Sequence, residues 1–299
     1  MALLQIYGGE GVHDPVIAKE NGVYYCFSTH GLVRTSPDLC HWVRAPSVFQ
    51  KNPPWVAHTV PKNKNDIWAP ELVYRNGMWR LYYAVSTFGK RRSAIGLAEN
   101  KTLDAASPDF GWHDRGAVIT STEKSNFNAI DPAVCADCTG QDWFLFGSFW
   151  GGLMLLPLLS DGTIPGAEKP LCVATRNTDP NPVEGGFLFL HDDWYYLFVS
   201  HDFCCRGTAS SYHIVVGRSK SITGPFIDRI GVAMDEGGGT TLRDGFSHER
   251  WAGPGHNSIF RDDDGSVYLV YHAYDRLNNG EPVLQIEPLM WQDGWPVVS

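Results

Sequence analysis

The sequence is poor in charge. Only 19% of its 299 residues are Asp, Glu, Lys or Arg, and the formal balance is -9. No basic cluster is longer than Lys90-Arg91-Arg92, so nucleic acid is not an expected partner. No stretch approaches the roughly 20 apolar residues of a membrane-spanning helix, and no membrane role is expected. The opening MALLQIYGGEG has neither a basic n-region nor a long apolar core, so it does not read as a signal peptide. Two localisations fit: cytoplasmic, or a secreted mature form with its signal removed. Helical spacing at i, i+3, i+4 is almost absent. So are a Ser nucleophile elbow, a phosphate loop, a His-Glu-x-x-His pair and a dinucleotide fingerprint. No organic cofactor is expected.

What is present points to a folded chain with many turns. Apolar residues make up 43%, enough for a large core, and such a low charge content argues against disorder. Gly (31) and Pro (19) supply turns. The seven cysteines cannot all pair. Cys135 and Cys138 have zinc-like spacing, but no second pair completes four ligands; two free thiols in a turn are expected. Cys204 and Cys205 are adjacent, and buried thiols are expected there rather than a strained vicinal disulfide. The run Asp262-Asp263-Asp264-Gly265 resembles part of a calcium loop but lacks the later Glu. It reads as a hairpin turn.

Five stretches resemble one another: 13–29 (HDPVIAKENGVYYCFST), 68–87 (WAPELVYRNGMWRLYYAVST), 130–150 (IDPAVCADCTGQDWFLFGSFW), 183–200 and 255–275 (GHNSIFRDDDGSVYLVYHAYD). Each has a small or polar opening, a short apolar strand, a turn and an aromatic-rich strand. Asn21-Gly22, Asn76-Gly77 and Asp264-Gly265 are hairpin signals. A third apolar element follows each hairpin. A fourth is expected around 47–49, 116–119, 171–173, 231–234 and 297–298. Four strands repeated five times, 53 to 72 residues apart, predict an all-β, single-domain five-bladed β-propeller with four antiparallel strands per blade over residues 1–299. A β-sandwich would have to explain five agreeing registers as coincidence.

In a propeller the first strand of each blade lines the central channel. The residues that open those strands should therefore meet at one mouth: Asp14, Ala69-Pro70, Asp131, Glu184 and His256. An acid before Pro is ordinarily a turn residue. Acids at equivalent positions in three of five repeats are harder to dismiss, because like charges held close repel. Facing acids suit glycoside hydrolysis, in which one protonates the leaving oxygen and another activates water or attacks the anomeric carbon. Glu184 lies near Phe187 and Phe189 and should be protonated; Asp14 opens a glycine-rich stretch and should be ionised. Gly185 and Gly186 would leave room for a sugar beside Glu184. Trp68, Phe88, Phe149 and Trp150 should face the same mouth and offer flat surfaces to sugar rings. Most other aromatics, as in YYCF, RLYY and YYLF, are expected to pack the sheets. His256 in GPGHNS could shuttle a proton, bond a carboxylate or ligate a metal. One imidazole alone could hold only a mostly water-coordinated hard cation.

These residues resemble glycoside hydrolase family 43, and within it the endo-1,5-α-L-arabinanases. The carriers are VHDPVI (12–17), DIWAPEL (66–72), NAIDPAV (128–134), FGSFWGG (146–152), PVEGGF (182–187), FCCRG (203–207) and GPGHNS (253–258). The resemblance implies an inverting five-bladed propeller, with Asp14 as general base, Glu184 as general acid, and Asp131 orienting the acid and tuning its pKa. It implies that Gly89, Asn128, Ile130, Ser148, Phe149 and Trp150 hold the arabinose chain. It also implies that His256 is the one protein ligand of a channel cation, usually calcium. Inversion implies a carboxyl separation of roughly 6.5–9.5 Å. The expected partners are arabinan and arabino-oligosaccharides, handled by a monomer. An exo-acting arabinofuranosidase or β-xylosidase on the same fold is the alternative. The sequence has no long C-terminal sandwich domain of the kind many xylosidase relatives carry, which favours endo action. A non-catalytic carbohydrate-binding propeller is a further alternative that three acids disfavour.

Overall fold

Asn21 and Gly22 carry positive φ (52° and 81°), as do Asn76 and Gly77 (53° and 78°). That geometry closes two-residue hairpins whose twist matches the strands, so the Asn-Gly pairs turn where the sequence says they should. The computed structural model describes residues 3–166, 168–246 and 248–298. Its strands fall into five antiparallel blades. Blade 1 holds Val16–Glu20, Val23–Ser28, Leu32–Ser36 and Val43–Ala45, and blade 2 holds Trp68–Arg75, Met78–Val85, Ser93–Asn100 and His113–Ser121. Blade 3 holds Ala133–Ala136, Asp142–Phe146, Leu153–Pro157 and Leu171–Ala174. Blade 4 holds Val183–His191, Trp194–His201, His213–Ser219 and Thr240–Arg243, and blade 5 holds Trp251–Arg261, Val267–Asp275 and Glu281–Pro288. Among the described residues the α-helical content is the single turn Trp55–Thr59, and no helix is long and apolar enough to cross a membrane.

The inner strands neighbour one another in a closed ring, blade 5 returning to blade 1. Both faces of each blade are therefore covered. Val16, Ala18, Tyr25 and Phe27 pack toward Leu81 and Tyr83 of blade 2. The alternate residues Ile17, Tyr24 and Cys26 pack toward Phe260 and Val270 of blade 5. Similar apolar layers fill the other three interfaces. Two buried faces explain why these strands read as continuous apolar runs rather than alternating ones, and they absorb most of the aromatics.

The outer strands depart from expectation in three blades. Blade 1 ends with Val43–Ala45 rather than 47–49, and blade 4 with Thr240–Arg243 rather than 231–234. In blade 5 the residues around 297–298 add no fourth strand. Trp295–Val297 pairs instead with Met290–Gln292 in a separate hairpin. The free edge of blade 5 is covered by the N-terminal segment: Leu4 donates to Ile286 O, Gly11 donates to Pro282 O, and Leu284 donates to Gly9 O. The ring is thus fastened by residues from opposite ends of the chain. The outer strands of blades 1 and 4 are short and half exposed, so their sequence pattern is weak.

Candidate active site

Each inner strand begins at the same mouth, and each is bent there by one left-handed residue. These are Asp14 (φ 54°), Ala69 (44°), Asp131 (58°), Gly185 (58°) and His256 (48°). Sheet pairing is irregular beside the bend in blades 2, 4 and 5. Such a kink breaks strand alternation and re-aims a side chain, and non-glycine residues held left-handed cluster at functional sites. This equivalence corrects the register of the fourth repeat. Gly185, not Glu184, matches Asp14 and Asp131; Glu184 stands one residue earlier, matching His13 and Ile130. The glycines also lose the role of clearing space for a sugar. A Cβ on Gly185 would lie 3.1 Å from the His256 ring, and one on Gly186 would lie 2.7 Å from Leu153. They permit the bend and the packing.

Asp14 is buried among one hydroxyl and three imidazoles. Its Oδ2 accepts from the Thr29 hydroxyl at 2.5 Å. Its Oδ1 lies 2.7 Å from His13 Nδ1, 3.2 Å from His256 Nδ1 and 3.7 Å from His272 Nδ1. Burial alone would raise its pKa, but His13, His256 and His272 together hold it well below the usual carboxylate range. Burial works against a charged His13 too, yet Asp14 lifts that imidazole to about 10. Thr29 also accepts from the Ala69 amide at 2.9 Å, which ties the blade 2 opening to the Asp14 cage.

Glu184 is different. Burial raises its pKa, opposed by hydrogen bonds from Ser148 and Tyr212. Ser148 donates to Oε2 at 2.6 Å, Tyr212 donates to Oε1 at 3.0 Å, and the Cys204 thiol lies 3.6 Å from Oε1. Asp131 is raised well above its ordinary value by burial, then by the charges of Glu184 and Asp14. Its Oδ2 accepts from the Gly185 amide at 3.2 Å, so it grips the peptide that follows Glu184. Two buried carboxyl groups and one half-buried one thus occupy one mouth, one firmly ionised and two biased toward the protonated form. Such a split is how one site supplies both a base and an acid.

The other predicted residues lie on blades 2 and 3 and on the loops that join their strands. Asn128 is buried and accepts from Ser93 at 2.7 Å, and Ile130 beside it is also buried. Phe149 and Trp150 are both left-handed (φ 53° and 37°), and the Phe149 amide donates to Val183 O, beside Glu184. Arg91 lies over the Trp150 ring at 5.7 Å, joining that loop to the one carrying Phe88 and Gly89. Phe88 is 73% exposed, and the space above Gly89 is open. Trp68 is half buried and fixed by its Nε1 donating to Asp66 at 2.8 Å.

His256 turns Nδ1 toward Asp14. Beside it, both side-chain polar atoms of Asn257 are buried without a partner. Among the described residues no group of three ligating side chains includes His256. This donor set fits a cation held by one imidazole and water. Cys135 and Cys138 likewise gain no third ligating side chain among the described residues. Cys135 sits in a strand rather than in the turn. The thiols at 204 and 205 correct an expectation: Cys204 is half buried and Cys205 is exposed. Their Sγ atoms are 2.7 Å apart, beyond the roughly 2.05 Å of a disulfide.

Sequence reasoning missed His13, Thr29, Tyr212 and His272. His272 reaches Asp14 across 258 positions, and its Nε2 is buried without a partner. Only the HDP and FCCRG motifs hinted at two of these neighbourhoods.

Comparison with known proteins agrees with this geometry. The profile of Glycosyl hydrolases family 43 matches residues 9–296. An extracellular exo-α-(1→5)-L-arabinofuranosidase of Cellvibrio japonicus is 42% identical, covering 96% of this chain and 86% of its own. An extracellular endo-α-(1→5)-L-arabinanase of Bacillus subtilis is 41% identical, covering 96% and 87%. Among solved structures, an exo-1,5-α-L-arabinanase from a bovine ruminal metagenomic library aligns with a TM-score of 0.93 at 41% identity, covering 99% of both chains. A Cellvibrio cellulosa α-L-arabinanase complexed with arabinohexaose aligns at 0.91 with 42% identity, covering 97% and 95%. The bent inner strands, the three carboxyl groups at one mouth and a match along almost the whole chain lead to one assignment: the chain belongs to glycosyl hydrolase family 43.

Proposed function

We propose that this protein is an inverting endo-1,5-α-L-arabinanase that cuts the α-1,5-L-arabinofuranosidic backbone of arabinan. The opposed electrostatics of Asp14 and Glu184 carry this reading. Asp14 takes a proton from a water as that water attacks the anomeric carbon. Glu184 gives its proton to the departing oxygen as the glycosidic bond breaks on the other face. Asp131 holds the peptide behind Glu184 through the Gly185 amide and so positions the acid. Ser148, Asn128, Phe149, Trp150 and the Phe88-Gly89 loop line the route for the sugar chain.

A hard cation such as calcium, held by His256 and water, would add positive charge near Asp14 and favour its ionised form. The unpartnered Asn257 beside His256 supports such a site.

The alternative reading is exo action. It is favoured by two of the similar proteins, whose names describe exo-acting enzymes. A time course on linear arabinan separates the two. Mixed oligomers at early times support endo cleavage; a single short product from the start supports exo cleavage. Binding of arabinan with no new reducing ends would overturn both.

A further inference from the structure

We propose that Cys204, Cys205 and His13 form a site for a soft, thiophilic divalent cation of the zinc–cadmium class at the rim of the pocket, and that filling it silences hydrolysis. Both Sγ atoms and one ring nitrogen of His13 lie within 4.8 Å of one another. The gap from Cys205 Sγ to His13 Nε2 is 3.9 Å. A tetrahedral ion with bonds of about 2.3 Å to sulfur and 2.0 Å to nitrogen separates its ligand atoms by about 3.5–3.8 Å. The sulfur–nitrogen spacing is already close to that. The two sulfurs, now 2.7 Å apart, need to spread by about 1 Å, which side-chain rotation at the exposed Cys205 supplies. Two thiolates and an imidazole select soft ions over calcium, so this site differs in chemistry from the one at His256. Cys205 is exposed, and water completes the fourth position.

His13 is already arranged as such a ligand. Its Nδ1 faces Asp14 at 2.7 Å, the carboxylate–histidine pairing that orients metal-bound imidazoles. Its Nε2 meets the Tyr274 hydroxyl at 2.8 Å, and a bound ion takes the place of that hydrogen bond, displacing the Nε2 proton and both thiol protons to solvent. An ion held here pulls on both ends of the catalytic pair. His13 steadies Asp14, and Cys204 touches Glu184.

The chain, reduced and freed of metal with a chelator, is titrated with cadmium chloride. Thiolate-to-cadmium absorption is recorded in parallel with hydrolysis. The expected result is one bound equivalent, with activity lost as the band grows and restored by chelator. Excess calcium does not displace the ion. Cys205→Ser needs about tenfold more cadmium, or greater, for both effects. An unchanged titration in Cys205→Ser overturns the proposal. Alkylation mapping of the unaltered chain gives a second reading: cadmium should protect Cys204 and Cys205. Protection of Cys138 instead, with Cys204 and Cys205 still reactive, also overturns it. The band and the mapping report binding without any substrate, so they stand whatever bond the enzyme cuts.

Discussion

The two ends of the inner strands use the same residue types for different purposes. At the far end, turn carboxylates find backbone, hydroxyl or lysine partners nearby. Asp137 accepts from Thr139 and Gln141, Asp192 is a left-handed turn residue, and Asp262 pairs with Lys19 at 2.5 Å. At the mouth, Asp14 and Asp131 are buried, Glu184 is half buried, and the three act on one another. Positive φ occurs at both ends. It makes a hairpin when Asn-Gly carries it, and it turns a carboxyl group toward the channel mouth when Asp-Pro carries it inside a closed ring. An acid's position in the repeat therefore says more about its chemistry than its immediate neighbours do.

Substitutions at the two ends should separate cleanly. Glu184→Gln and Asp14→Asn should each lower kcat by about 10²–10⁴-fold while thermal unfolding shows an intact fold. Normal turnover in either would remove the distinction between the ends. Asp131→Asn should be milder, with kcat down about 10- to 100-fold and KM little changed. Asp131 keeps its own proton while Glu184 titrates, so the alkaline limb of the pH–rate profile should stay in place. Tyr212→Phe should move it. It deletes a donor that favours ionised Glu184, so the acid holds its proton longer and the alkaline limb shifts to higher pH. A limb unmoved in Tyr212→Phe would contradict the account of how this acid is tuned.

Glu71 sharpens the comparison from within a strand. Burial lifts it to about 8, its Oε1 accepting from the Val134 amide at 3.2 Å, yet it has no partner at the mouth. Its folded pKa lies above the unfolded value, so its contribution to stability is full in acid and declines as pH rises toward about 8. Glu71→Gln should flatten the fall of the unfolding midpoint with rising pH and leave kcat unchanged. Asp192→Asn, at the far end, should alter neither activity nor stability by more than about 0.5 kcal/mol.

The repeats made the five blades and the three acids readable, because hairpin signals and apolar runs recur whichever neighbour a blade meets. The groups around the acids were not readable. Thr29, Tyr212 and His272 are ordinary strand or strand-end residues; Thr29 and Tyr212 meet their acids within blades 1 and 4, and ring closure brings His272 of blade 5 to Asp14. The fourth repeat misled by one residue: matching acid to acid aligned Glu184 with Asp14, whereas the backbone bend aligns Gly185. Outer strands were blurred in blades 1, 4 and 5, where short half-exposed segments carry little apolar pattern and the last edge is covered by the other end of the chain.

The central claim is that Asp14 is the base and Glu184 the acid. It is tested most directly with an aryl arabino-oligoside whose leaving group needs no protonation. On this substrate Glu184→Gln should regain most of its lost rate and show no alkaline limb, while Asp14→Asn stays inactive. Recovery in Asp14→Asn but not in Glu184→Gln would contradict the assignment.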